Sequence, residues 1–171
     1  MNVMKWIAIS GSWRVTNAQI ERDVRMAVRT IIERGAGIVS GGAVNVDFFA
    51  TDEALRIDPA ATHLKVFLPT MLPLYTAHYR KRAGEGVITE RQAEDLITQL
   101  ETIQRSNPDA LIEDARNTIV DRTTYFQRNS QIIEVADELL AFHVNNSEGV
   151  QDAIDKAKAL GKPVELHSYT I

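Results

Sequence analysis

Short apolar runs alternate with amphipathic stretches along almost the whole chain. "KWIAIS", from Lys5 to Ser10, is a β-compatible run that stops at Gly11, as a buried parallel strand does. The next segment, "VTNAQIERDVRMAVRTIIERG", repeats apolar residues at Ile20, Val24, Ala27 or Val28, and Ile31, the spacing of one helical face. Thr16 with Gln19 forms a candidate capping box, Val15 and Ile20 a candidate hydrophobic staple around it, and Gly35 follows as a stop. "GIVS" then reads as a second strand and "VDFFATDEALRI" as a helix with Val46, Phe49 or Ala50, and Leu55 on one face. "HLKVFLP" gives a third strand, and "ELLAFHV" and "KPVELHS" a fourth and fifth, separated by the helix "GVQDAIDKAKALG".

Parallel neighbours need helical crossovers, so this alternation predicts an α/β fold: a doubly wound, mainly parallel sheet of about five strands. Before the fourth strand the pattern becomes helical, from about residue 70 to 120, as an insertion. "TERQAEDLITQLETI" carries Ala93, Leu96, Ile97, Leu100 and Ile103 on one stripe after a Thr89/Gln92 capping box, "RSNPD" breaks it, and a second pattern follows from Asp109. "YFQRNSQIIEVAD" is a third helical pattern leading into the fourth strand. The stripe on Leu96 and Leu100 must be buried somewhere, which points first towards a homodimer or higher homo-oligomer and second towards a lid over the sheet.

Composition narrows the class. At 171 residues the chain suits a single domain spanning 1–171. No segment approaches the roughly eighteen uninterrupted apolar residues of a membrane span, and "GSWRVTN" offers no small-residue cleavage site, so no membrane contact and no signal peptide are expected. The absence of cysteine removes disulfides and thiolate chemistry and makes the cytoplasm the default location. Nineteen basic against 23 acidic residues give net charge −4, so a nucleic acid would need a local basic patch.

In an open parallel sheet, ligands collect at the carboxyl ends of the strands. "GSWR", "SGGAVNVD", "PTMLPLY" and "NNSEGV" fall there, and three of the four combine Gly with Ser or Asn. Glycine admits close backbone approach, and a following helix presents free N–H groups and partial positive charge, so such junctions suit phosphate. Neither a GxGxxG fingerprint nor a Walker lysine is present.

"IVSGGAVNVDFFATDEAL" resembles the SGxAxGIDxxAHxxAL signature of the DNA-processing protein A (DprA/Smf) Rossmann-like domain, with Ser40, Gly41, Ala43, Asp47, Ala50, Ala54 and Leu55 in register. "YFQRNSQII" is similar to that family's FPxRNRII segment through Phe126, Arg128, Asn129, Ile132 and Ile133, and "ISGSWRVT" to its opening strand and turn. "NNSEGVQDAIDKAKALGKPV" resembles its last turn, helix and strand. The resemblance extends to the wider SLOG superfamily, which unites DprA with the "Lonely guy" phosphoribohydrolases. It implies a Rossmann-like fold that holds nucleotides or single-stranded DNA. Asn45 replaces the family glycine, Thr51 its histidine and Gln127 its proline, the C-terminal winged-helix extension is not expected, and the hydrolases' PGGxGTxxE motif is absent.

The expected function is therefore a nucleotide or nucleotide-derivative binding module. Phosphate is expected on the backbone of Gly11, Ser12, Gly41 and Gly42, with Arg14 and Arg128 as the cations, because a guanidinium grips phosphate in a fork. Asn129 has two readings, contact with a base or a helix cap. Asp47 is read first as a cap of the helix it opens and second as an acceptor of ribose hydroxyls. Asn45, Ser40, Ser147 and Gly149 complete the candidate set, and Trp13 is placed to cover a base or to pack. "YRKR", Tyr79 to Arg82, reads first as a solvated face and second as a basic nucleic-acid patch with Tyr75 and Tyr79 for stacking. A DprA-like single-stranded DNA binder is the second reading, disfavoured by the net charge. An N-glycosidic hydrolase using Asp47 or Glu148 is the third, without a matched acid and base. No catalytic residue is assigned, no metal is expected because the four histidines lack ligand spacing, and no cofactor is required beyond a bound nucleotide.

Overall fold

A computed structural model describes residues 3–171. Six strands form one wholly parallel sheet: β1 (Trp6–Gly11), β2 (Gly37–Ser40), β3 (Leu64–Phe67), β4 (Leu111–Ile112), β5 (Glu138–Val144) and β6 (Val164–Tyr169). Their spatial order is β4-β3-β2-β1-β5-β6, so the order reverses between β1 and β5. Six α-helices cross between them: α1 (Ala18–Glu33), α2 (Val46–Ile57), α3 (Leu72–Gly84), α4 (Glu90–Ser106), α5 (Arg122–Val135) and α6 (Glu148–Ala159).

The period-two alternation of the strands divides the core in two. Ile7, Ile9, Ile38, Val66, Leu140 and Phe142 face one layer, with α1 to α4. Ala8, Val39, Phe67, Leu139 and Ala141 face the other, against Ile132 and Ile133 of α5 and Val150, Ala153, Ile154 and Ala157 of α6. Ile20, Val24, Val28 and Ile32 form the buried stripe of α1, whose N-cap is Asn17, accepting from the Ile20 N–H. That replaces the expected Thr16/Gln19 box one residue earlier: Asn17 has the extended backbone a cap requires, and Val15 is exposed rather than stapled. The Thr89/Gln92 box at the start of α4 is present as expected.

Two expectations are corrected between residues 70 and 120. The pattern from Asp109 is not a helix: Pro108–Ala110 form one 3₁₀ turn, Leu111–Ile112 add a sixth strand beside β3, and an irregular stretch runs to Asp121. A two-residue strand is too short to show a period. The stripe of Ala93, Leu96, Leu100 and Ile103 lies in the chain's own core with Leu64, Val66 and Leu68, so its burial needs no second copy.

Candidate functional site

A cleft of about 900 Å³ opens at the carboxyl ends of β1 and β5, where the strand order reverses. Its floor is the loop after β1 and the start of α5, its walls the last turn of α3 and the start of α6.

The loop after β1 is shaped by its own side chains. The Ser12 hydroxyl accepts the N–H groups of Arg14 and Val15, both at 3.2 Å, and the Asn45 amide donates to the Trp13 carbonyl. Arg14 lies 4.9 Å over the Trp13 ring and, among the described residues, pairs with no carboxylate. Gly11 sits where a Cβ would come 2.3 Å from Val46, so it lets the first turn of α2 close on β1.

The Gly-Gly junction after β2 is held from three sides. The Gly41 carbonyl accepts from the buried guanidinium of Arg128 at 2.6 Å, and a Cβ on Gly41 would meet that guanidinium at 2.6 Å. Gly42 has a left-handed backbone, φ 67°, and its carbonyl accepts from the buried Tyr75 hydroxyl at 2.9 Å. The Asp47 carboxylate turns back and accepts the Ala43 N–H at 3.2 Å. The anion in the concavity of this loop is therefore the chain's own. Asp47 caps the loop rather than the helix, whose N-cap position, Asn45, also has positive φ. Burial pushes the Asp47 carboxyl up to about 6, while the Arg128 charge and the N–H groups of Ala43 and Gly41 pull it the other way.

Arg128 also donates to the Asn129 side-chain oxygen at 3.1 Å, and its buried Nε has no hydrogen-bond partner among the described residues. Asn129 in turn donates to the Gly149 carbonyl at 3.3 Å and to Asp152 at 3.0 Å, fastening α5 to the start of α6. It does not cap its own helix; Asp121 does, in a capping box with Thr124. Ser147 holds the N-cap position of α6, but its hydroxyl caps nothing.

Of the expected residues, Gly11, Ser12, Arg14, Asp47, Arg128, Asn129, Ser147 and Gly149 come together around the cleft. Gly41 lines a small recess beneath it. Ser40, Gly42 and Asn45 are not among its lining: the Ser40 hydroxyl is fully buried without a partner among the described residues, and Gly42 and Asn45 are bonded to Tyr75 and Trp13.

Further wall residues come from the "YRKR" run and from α5. Lys81 and Arg82 reach the cleft from the last turn of α3, with Arg82 paired to Glu85 at 3.2 Å, so part of "YRKR" is wall rather than solvated face. Arg122 lies over the Phe126 ring and pairs with Glu148. Tyr125 meets Arg128 at 5.1 Å. For Arg122 and Phe126 the i,i+4 spacing alone was readable in advance, and many exposed helix faces carry such pairs.

The chain matches no protein-family model and no curated protein. Among solved structures, DNA processing protein A from Helicobacter pylori aligns with a TM-score of 0.67 over 94% of this chain and 63% of that one, at 19% identity. The fold is DprA-like. DprA from Streptococcus pneumoniae aligns with a TM-score of 0.63 at 16% identity, over 94% of this chain and 49% of that one. The structural-genomics protein TM1055 follows at 0.54 and 18% identity, over 94% of this chain and 72% of that one. The chain thus spans less than two thirds of either DprA. The H. pylori protein is described as binding single-stranded DNA. In the DprA-like frame, the junction "SGGAVNVD" joins β2 to α2 and the "QRNSQII" segment supplies α5. Among the described residues, no helix is long and apolar enough to cross a membrane.

Proposed function

We propose that this DprA-like domain binds a nucleotide or nucleotide-derived molecule in the cleft, with phosphate between the Ser12–Arg14 loop and the start of α6. The observation that carries the reading is that Arg14, whose guanidinium has no carboxylate partner among the described residues, and the uncapped first turn of α6 line the same cleft. Free N–H groups at a helix start and a forked cation are both complementary to a phosphate oxygen. Arg128 adds positive charge from the floor, while Trp13, Tyr125 and Phe126 offer ring faces to a base. Because Asp47 occupies the Gly41–Ala43 loop, the phosphate position moves away from Gly41 and Gly42.

Single-stranded DNA is the second reading, favoured by the H. pylori DprA and by the alternation of Arg with aromatic side chains on the walls. Thermal unfolding with a panel of mononucleotides, beside titration of a thymidine oligonucleotide at several salt concentrations, separates the two. A mononucleotide that raises the melting temperature of the wild type but not of Arg14→Ala supports the first reading. Steeply salt-dependent oligonucleotide binding with no mononucleotide response replaces it with the second.

A further inference from the structure

Beneath the cleft floor, Ser10, Gly41, Asp47, Arg128 and Asn129 enclose a recess with about 20 Å³ free, room for one water. It holds one positive and one negative side chain, and they form no direct ion pair. Arg128 gives its terminal nitrogens to Gly41 and Asn129, Asp47 takes the Ala43 N–H, and the Arg128 Nε is left unpartnered. From β1 and the loop Ile9, Ser10 and Gly41 line the recess and bring no titratable group, and α6 contributes Ala153. The nearest carboxylate of α6, Asp152, is paired with Lys156 at 2.8 Å and bonded to Asn129. Tyr75, Tyr79 and Tyr125 flank Arg128, and burial keeps their phenols protonated. The recess is therefore neutral while Asp47 is ionised, and a phosphate laid against Arg128 makes two anions share one buried cation.

We propose that Asp47 sets the anionic charge the cleft accepts: a phosphate bound beside Arg128 is taken up together with a proton from solvent, which lands on the Asp47 carboxylate. The proton changes little else in the recess. A neutral carboxyl still accepts the Ala43 N–H through its carbonyl oxygen, and its new O–H is a donor where before there was only a repelling charge. Coupling runs both ways, so lower pH tightens binding and binding favours protonation. This rests on the phosphate reading above.

The dinucleotide TpT is the test ligand, because its phosphodiester keeps a fixed charge, whereas a terminal phosphate titrates at about 6. Calorimetry at pH 6.5 in two buffers of different ionisation heat is expected to show a fraction of a proton taken up per TpT bound. Affinity is expected to rise as pH falls from 7.5 to 5.5, by about tenfold for each unit that binding raises the Asp47 pKa. Asp47→Asn keeps the acceptor for Ala43; it is expected to abolish the uptake and to bind TpT more tightly than wild type at pH 7.5. Carboxyl carbon NMR of the wild type with and without TpT reads the same proton if that variant fails to fold. Binding with no proton uptake, or uptake that survives in Asp47→Asn and so belongs to another group such as His78 of the cleft wall, overturns the inference alone. Failure of both TpT and mononucleotides to bind overturns the proposed function and this inference with it.

Discussion

The Arg128 guanidinium donates to the Gly41 carbonyl at 2.6 Å, joining α5, on one face of the sheet, to the end of β2. The bond is buried and charge-assisted, and Asn129 takes the second terminal nitrogen. A lysine keeps the charge but cannot fork between two acceptors. Arg128→Lys is expected to lower unfolding stability by about 1–3 kcal/mol, measured by urea denaturation, and to weaken nucleotide binding.

Gly41→Ala attacks the same bond from the other side. The new methyl would stand 2.6 Å from the Arg128 guanidinium carbon, so the side chain has to leave its place. Its loss of binding is expected to match that of Arg128→Lys. The double variant is expected to fall short of the sum of the two, which a double-mutant cycle reads directly.

Tyr75→Phe removes the hydroxyl that serves the Gly42 carbonyl and leaves a ring that fills the same space. The site is wholly buried, so water does not replace the hydroxyl. Expected destabilisation is about 1–3 kcal/mol, visible as a lower melting temperature, with the sheet intact by circular dichroism.

Two aspartates give opposite pH signatures. Asp47 is raised in the folded state, so the native form binds more protons than the unfolded one between about 4 and 6. Its contribution is full at acid pH and lost as pH rises through about 6. Asp58 is the reverse: burial opposes its charge, but hydrogen bonds from His63 and Thr62 outweigh this and hold it at about 2. That contribution is present above the ordinary carboxylate range and lost as pH falls through about 2. At pH 7.5, Asp47→Asn is expected to equal or exceed the wild type in stability. Asp58→Asn is expected to lose on the order of 2 kcal/mol, a gap that closes in acid unfolding.

The parts of the fold that depend on neighbours in sequence were legible. "GIVS" and "ELLAFHV" became β2 and β5 at those bounds, and the Thr89/Gln92 box caps α4, because strand period and helix caps are local physics. The parts that depend on distant partners were not. Leu96 and Leu100 announced that they must be buried, but not that Val66 and Leu68 would bury them. Asp47 announced a cap, yet its carboxylate serves the loop behind it, because the turn at Asn45 points it backwards. Lys81 and Arg82 read as a charge run until the packing of α3 placed them at the cleft.

The loop after β5 reaches the end of β6. Asn145 lines the cleft, and its amide exchanges two hydrogen bonds with Ile171, donating to the carbonyl and accepting the N–H, both at 3.0 Å. Residue 171 is thus moored to the rim of the proposed binding site. Any polypeptide or dye joined after it begins its path there, where a fluorophore on a short tether would report occupancy and a bulky fusion would obstruct it.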